Sequence, residues 1–180
     1  GDYIEGADPA KFDLGRATRD PAAVVQIPPE QDIAGIKSRP KAVVIHLLMR
    51  NGKAELVVLP VYGHGFASTL YGYIGLTGST DTVAGLAFYQ HGETPGLGAL
   101  IDDRKWRQLW VGKTVRGAQG EIALGVARGP VVTGTEEARF QVDGITGATW
   151  TGQGVTNLLR YWLGPHGFGP YLGKLRRASR

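Results

Sequence analysis

Beyond residue 40 the chain breaks into short apolar runs separated by glycine or polar residues, the pattern of strands joined by tight turns. Ala42-Val43-Val44-Ile45-His46-Leu47-Leu48-Met49 and Glu55-Leu56-Val57-Val58-Leu59 flank Asn51-Gly52. That dipeptide tolerates the positive φ of a two-residue hairpin loop, so the two runs are expected to pair. Further strands are expected over residues 70–76, 82–89, 121–127 and 138–142. The short connections favour antiparallel pairing. Two segments instead carry helical spacing. Residues 103–110 place Trp106, Leu109 and Trp110 on one face, and residues 152–163 place Val155, Leu158, Leu159 and Trp162 at i, i+3, i+4 and i+7 before Gly164-Pro165 stops the helix. The class is α+β, a mainly antiparallel sheet with a few packed helices.

The first forty residues differ. Asp2, Glu5, Asp8 and Asp13 are followed by Pro21, Pro28, Pro29 and Pro40, which reads as an arm wrapping a domain, with one proline-started helical turn at Pro29-Glu30-Gln31-Asp32 continuing towards Ile36. The expected organisation is an arm over 1–40, one domain over 41–175 and a basic tail over 176–180.

Composition narrows the chemistry. With 180 residues, 42% of them hydrophobic, the chain can bury one core, and two full domains are not expected. The absence of cysteine excludes disulfides, thiolate zinc sites, cysteine-ligated clusters and a cysteine nucleophile. No run approaches the roughly 18 apolar residues of a membrane-spanning helix, so the chain reads as a soluble domain. The net charge of +4 is gathered towards the end, where Arg160, His166, Lys174, Arg176, Arg177 and Arg180 fall in the last 21 residues. Without a helix-turn-helix, zinc-finger or RNP-type signature, this reads as a solvated end and not as a nucleic-acid surface.

Several motifs fail on inspection. Gly112-Lys113-Thr114 ends like a phosphate-binding loop, but Arg107 stands where that motif needs glycine. Gly63-His64-Gly65 begins a dinucleotide fingerprint, but Ser68 replaces its third glycine. His46, His64, His91 and His166 lack metal-ligand spacing; His46 is expected to pack within its strand and His166 to lie in a loop. No metal or catalytic side chain is assigned.

Two segments carry chemistry. His91-Gly92-Glu93-Thr94-Pro95-Gly96-Leu97-Gly98 offers a backbone that can approach a ligand closely, polar groups at Glu93 and Thr94, and Leu97 for an aromatic face. Asp143-Gly144-Ile145-Thr146-Gly147-Ala148-Thr149-Trp150-Thr151 runs into the second helix. The hydroxyls of Thr149 and Thr151 fall at or near its N-cap, where they either cap the helix or share its N–H groups and dipole with an anion such as phosphate.

Together these residues resemble the covalently flavinylated FMN-binding domains. Asp143-Gly144-Ile145-Thr146-Gly147-Ala148-Thr149 is similar to their acidic-x-x-Ser/Thr-Gly-Ala-Thr motif, and Glu93-Thr94-Pro95-Gly96-Leu97-Gly98 to the loop that lies along the flavin. Those domains divide between the NqrC proteins of the Na⁺-translocating NADH:quinone oxidoreductases and the corresponding RnfG proteins of the ferredoxin-linked Rnf complexes. Gly1-Asp2-Tyr3, residues 29–37, Leu59-Pro60-Val61 with Gly63 and Gly65, residues 86–89, and Leu158, Arg160, Trp162, Leu163 and Gly164 favour the former. One departure is Phe66-Ala67, where the NqrC proteins usually carry Leu-Trp.

The resemblance implies FMN joined through its phosphate to the Thr149 hydroxyl, with Glu93, Thr94, Gly96, Leu97, Gly98, Thr146, Gly147, Ala148 and Thr151 around it; Asp143 either orients the attachment or forms the turn before the helix. A threonine hydroxyl is a weak nucleophile and no histidine adjoins it in sequence, so attachment calls for a separate enzyme. The resemblance implies an FAD-dependent, Mg²⁺-requiring flavin transferase. It further implies one-electron relay between centres of a membrane complex on the way to ubiquinone, with the other proteins of that complex as partners. It places the domain on the periplasmic face of the inner membrane, behind an N-terminal membrane helix absent from this sequence. The alternatives are an Rnf-type carrier and a non-catalytic flavin-binding module.

Overall fold

A computed structural model describes residues 3–5 and 7–178 of the chain; Gly1 and Asp2 of the Gly1-Asp2-Tyr3 segment and Arg180 of the basic end lie outside the described residues. The arm holds more regular structure than its prolines suggest. Helix α1 (Leu14–Ala17) is capped by Asp13, whose Oδ1 accepts from the Arg16 N–H at 2.7 Å. Strand β1 (Val24–Gln26) pairs antiparallel with β2 (Ser38–Pro40). The ribbon forms because the Asp32 carboxylate accepts from the Ile36 and Lys37 N–H groups, at 2.9 and 2.7 Å, and reverses the chain through Gly35 and Lys37 at positive φ. Only a single 3-10 turn, Pro29–Gln31, remains of the expected short helix. Buried Ala34 then docks the ribbon on the main sheet, its carbonyl accepting from the His64 N–H at 2.8 Å.

The main sheet is an antiparallel meander of β3 (His46–Arg50), β4 (Lys53–His64), β5 (Thr69–Thr77) and β6 (Val83–Gln90), adjacent in that order. Asn51 and Gly52 form the expected two-residue hairpin loop, both at positive φ. β3 is shorter than its apolar run, and His46 stands exposed at its start instead of packing within it. Across the sheet Val57 faces Leu76, Leu59 faces Ile74 and Gly63 faces Leu70, so one face gathers apolar side chains with no solvent exposure.

Helix α2 (Arg104–Gln108) follows a 3-10 stretch at Gly98–Asp102 and is capped by Asp103, whose Oδ1 accepts from the Lys105 and Trp106 N–H groups. Trp106 and Trp110 are buried, whereas Leu109 is exposed. The strands expected at 121–127 and 138–142 contract to β7 (Gly125–Val126) and β8 (Gln141–Val142), which pair in parallel. The start of the second segment instead lies in a 3-10 turn, Glu137–Arg139, and backbone groups beside these strands bond to loops, as where the Thr114 N–H donates to the Arg139 carbonyl.

Helix α3 (Thr149–Leu163) lies over the apolar face of the sheet and buries Val155, Leu158, Leu159, Trp162 and Leu163. Each such leucine stabilises the fold by about 1.5–3 kcal/mol. A last helix, α4 (Gly169–Ala178), takes in Lys174, Arg176 and Arg177, and the Arg176 guanidinium is held by Asp81 at 3.2 Å. Regular structure therefore enters the stretch read as a solvated end. No helix among the described residues is long and apolar enough to cross a membrane.

Candidate functional site

The two motifs meet around one buried carboxylate. Glu93, 4% exposed, lies between the β4–β5 turn and the first turn of α3. Its Oε1 accepts from the Ala67 N–H at 3.0 Å, the Ser68 N–H at 3.1 Å and the Ser68 hydroxyl at 3.3 Å. Its Oε2 accepts from the Phe66 N–H at 3.2 Å and from Thr151 Oγ1 at 2.5 Å. Burial alone would raise this carboxyl, but the Thr151 hydroxyl and the three backbone donors outweigh it and hold Glu93 below the ordinary carboxylate value. Glu93 therefore acts within the protein as a clasp, with both oxygens engaged.

The rest of the loop supports that clasp. The Glu93 N–H donates to His91 Nδ1 at 3.1 Å, which leaves Nε2 of the neutral ring to donate to Asp102 Oδ2 at 2.8 Å. The Gly92 N–H donates to the Ser68 hydroxyl at 2.6 Å. Gly98 must lack a side chain, since a Cβ there would stand 2.5 Å from Thr151 Oγ1 and 2.8 Å from Glu93 Oε2.

The helix begins earlier than its apolar spacing suggested. Ala148 is the N-cap, Thr149 the first helical residue, and no side chain caps the end. Neither threonine performs the capping considered from sequence, because the buried Thr151 hydroxyl is turned to Glu93 and Thr149 is exposed. The uncapped first turn retains the positive end of a 15-residue helix dipole. Asp143 stands apart. Its Oδ1 accepts from the Val131 N–H at 2.8 Å and its carbonyl from Trp106 Nε1 at 3.0 Å, so it braces the 128–131 loop.

A cleft of about 90 Å³ is lined by Phe66, Glu93, Thr94, Leu97, Gly98, Gly147, Ala148, Trp150 and Thr151. Seven of these are sequence candidates; Gly96, Thr146, Asp143 and Thr149 do not line it, and Thr149 stands exposed between the lining residues Ala148 and Trp150. The residues missed as site members are Phe66 and Trp150, exposed at 63% and 72% with Leu97 at 42% beside them. Trp150 carried a signal, since it falls well off the apolar stripe through Val155, Leu158 and Trp162 and so had to face solvent. A larger cavity of about 670 Å³ lies elsewhere and shares no residue with this cleft. The smaller cleft is the candidate because both motifs converge on it.

The arrangement suits a flat aromatic ligand with a phosphate. The cleft is below the ~300–1,000 Å³ of sites that enclose a ligand, so it can take only part of a tricyclic ring. Around it stand three exposed apolar side chains, and beside it an uncapped helix end and an exposed threonine hydroxyl. Gly147, at φ +76°, keeps the backbone close to Leu97, where a Cβ would come within 2.9 Å of Cδ2. The residues present thus fit a flavin phosphate.

Fold and cleft define an FMN-binding domain, and the family of that description matches residues 65–164, from the β4–β5 turn to the end of α3. The NqrC protein of the Na(+)-translocating NADH-quinone reductase of Pseudomonas aeruginosa is 46% identical over 179 residues, 99% of this chain and 69% of that protein. Among solved structures, Shewanella oneidensis NqrC superposes with a TM-score of 0.84 at 34% identity, over 93% of this chain and 75% of that one. The corresponding Na(+)-translocating NADH-quinone reductase protein of Parabacteroides distasonis gives a TM-score of 0.65 at 26% identity, over 96% and 73%. The chain belongs to the NqrC family of the Na(+)-translocating NADH-quinone reductases, and is thereby a subunit of an oxidoreductase complex.

Proposed function

We propose that this domain carries FMN as a phosphoester on Thr149 and serves as an electron-carrying subunit of the sodium-translocating complex. The observation that carries the reading is the exposed Thr149 hydroxyl at the first position of an uncapped helix, flanked by Ala148 and Trp150 of the cleft wall. In attachment, Thr149 Oγ forms a bond to the FMN phosphorus of FAD and gives up its proton. The pyrophosphate bond breaks and AMP leaves. A Mg²⁺-dependent flavin transferase supplies the base, because the acidic side chains near the motif, Asp143 and Glu93, are engaged by Val131 and by Thr151 with the 66–68 backbone.

FMN, when bound, supplies reversible electron transfer. The chain's own groups bind and orient. The α3 N-terminus favours the phosphate charge by about 0.3–1 kcal/mol. Phe66, Leu97 and Trp150 offer apolar surface to the ring, with Phe66 in place of the usual Leu-Trp pair, and Glu93 and Thr151 hold the turn and the helix in register. The domain over 41–175, with its 1–40 arm, works on the periplasmic side of the inner membrane beside the other proteins of the complex.

The test is a denaturing gel of protein co-expressed with a flavin transferase. Wild type should retain flavin fluorescence in its band. Thr149→Ala should lose it while keeping the far-UV circular dichroism and a midpoint within a few degrees, since an exposed helical threonine adds little stability. Fluorescence retained in Thr149→Ala would overturn the assignment.

A further inference from the structure

The larger cavity, about 670 Å³, is lined by Val43, Ile45 and Leu47, by Trp162 and Phe168, and by Ile4 and Phe12 of the arm. Its volume lies within the ~300–1,000 Å³ typical of small-molecule sites. It is distinct from the flavin cleft, because Thr149 and Trp162 lie 13 residues apart on α3, a rise of about 20 Å.

The polar groups of its aromatic side chains are satisfied. Trp162 Nε1 donates to the Tyr62 carbonyl at 2.7 Å, and the Tyr3 and Tyr171 hydroxyls share a bond of 2.8 Å where the arm meets α4. The two buried polar side-chain atoms without a hydrogen-bond partner among the described residues, Trp110 Nε1 and Arg116 Nε, belong to residues outside the lining. Such a cavity offers little to water and calls for an apolar body.

Charge at the mouth identifies the other end of the ligand. Of the four charged lining residues, Asp8 and Lys11 form an ion pair at 3.6 Å. Arg39 and Lys41 have no acidic partner within ion-pair distance among the described residues. Arg39 is half-buried, and Lys41 is exposed, with Nζ donating to the Ala22 carbonyl at 2.7 Å. Asp32, the nearby acid, is not in the lining, and its two oxygens are taken by the Ile36 and Lys37 N–H groups.

We propose that this cavity binds a long-chain free fatty acid, its apolar tail between the arm and the 43–47 wall and its carboxylate against Arg39 and Lys41. Binding at this site is independent of the flavin.

The probe is cis-parinaric acid, whose emission rises on transfer from water to an apolar site, titrated into the 180-residue protein and then displaced with oleate. A saturable one-to-one rise is expected, with the methyl ester of the probe binding at least about tenfold more weakly. Lys41→Glu, an exposed substitution that leaves the fold intact, should weaken the acid about tenfold and leave the ester unchanged. Val43→Trp should fill the cavity and abolish both; where its circular dichroism departs from wild type, Leu47→Trp replaces it. Absence of saturable binding, equal affinity for acid and ester, or binding that survives the filled cavity would each overturn the proposal. So would protein that ignores free oleate yet sediments with phosphatidylglycerol vesicles.

Discussion

Three side chains set out the candidate site, and they differ in their surroundings. Thr149 is exposed and Thr151, two positions on, is buried, although both are threonines in the first helical turn. The difference comes from Glu93, whose Oε2 takes the Thr151 hydroxyl. Breaking that clasp is costly because one buried and four part-buried donors lose their acceptor together. Glu93→Ala is expected to destabilise the domain by about 3 kcal/mol, measured by urea unfolding. The effect depends on pH in a defined direction. The Glu93 carboxyl is held below its ordinary value in the fold by hydrogen bonds that outweigh burial, so its contribution is fully present above the unfolded value, about 4.3. It is lost as pH falls through the lower folded value. The stability gap between wild type and the isosteric Glu93→Gln should hold from about pH 7 to about 5 and narrow below about pH 4. A gap unchanged down to about pH 3 would mean that the carboxylate charge is not what the 66–68 turn and Thr151 recognise.

Among the elements, the contact between α3 and the end of β4 decides how the cleft forms. Gly154 lies against this strand, where a Cβ would meet the His64 carbonyl at 2.5 Å and Gly65 Cα at 2.9 Å. Gly154→Ala gains about 1 kcal/mol of helix propensity but must push the 65–68 turn away, for an expected net loss of about 2 kcal/mol. Gly85→Ala on β6, where nothing lies within 4 Å, should be neutral or slightly stabilising in the same thermal melt. Equal midpoints for the two variants would show that α3 does not press on the turn. These elements differ in how far the sequence displayed them. The β3–β4 hairpin and α3 were legible because Asn51-Gly52 and the Val155, Leu158, Leu159, Trp162 spacing are local signals. β7 and β8 were legible only as vague apolar runs, since two-residue strands take their pairing from distant partners, as where the Val126 N–H donates to Thr156 Oγ1. The β1–β2 ribbon was hidden by its prolines, and depends on Asp32 folding the chain back. The cleft was legible as two motifs. The role of Glu93 was not, because its five donors lie 25 to 58 residues away along the chain.

For the whole molecule, the fold is a support that brings three separated segments to one end of the sheet. The turn after β4, the loop after β6 and the start of α3 meet there over a core of Leu59, Leu70, Ile74 and Leu158, all fully buried. The protein's own groups hold the arrangement, since the Glu93 clasp is an internal contact. A flavin attached at Thr149 would therefore meet a prepared surface of Phe66, Leu97 and Trp150. The NqrC family gives the setting, and the proposed attachment rests on one hydroxyl. The most direct measurement is the intact mass of the denatured protein, expressed with and without a flavin transferase, followed by mapping of the modified peptide. The expected result is a gain of one FMN less one water, only with the transferase, on the peptide containing Thr149. An unmodified chain beside a control substrate that the same transferase modifies, or an adduct on another residue, would contradict Thr149 as the point of attachment.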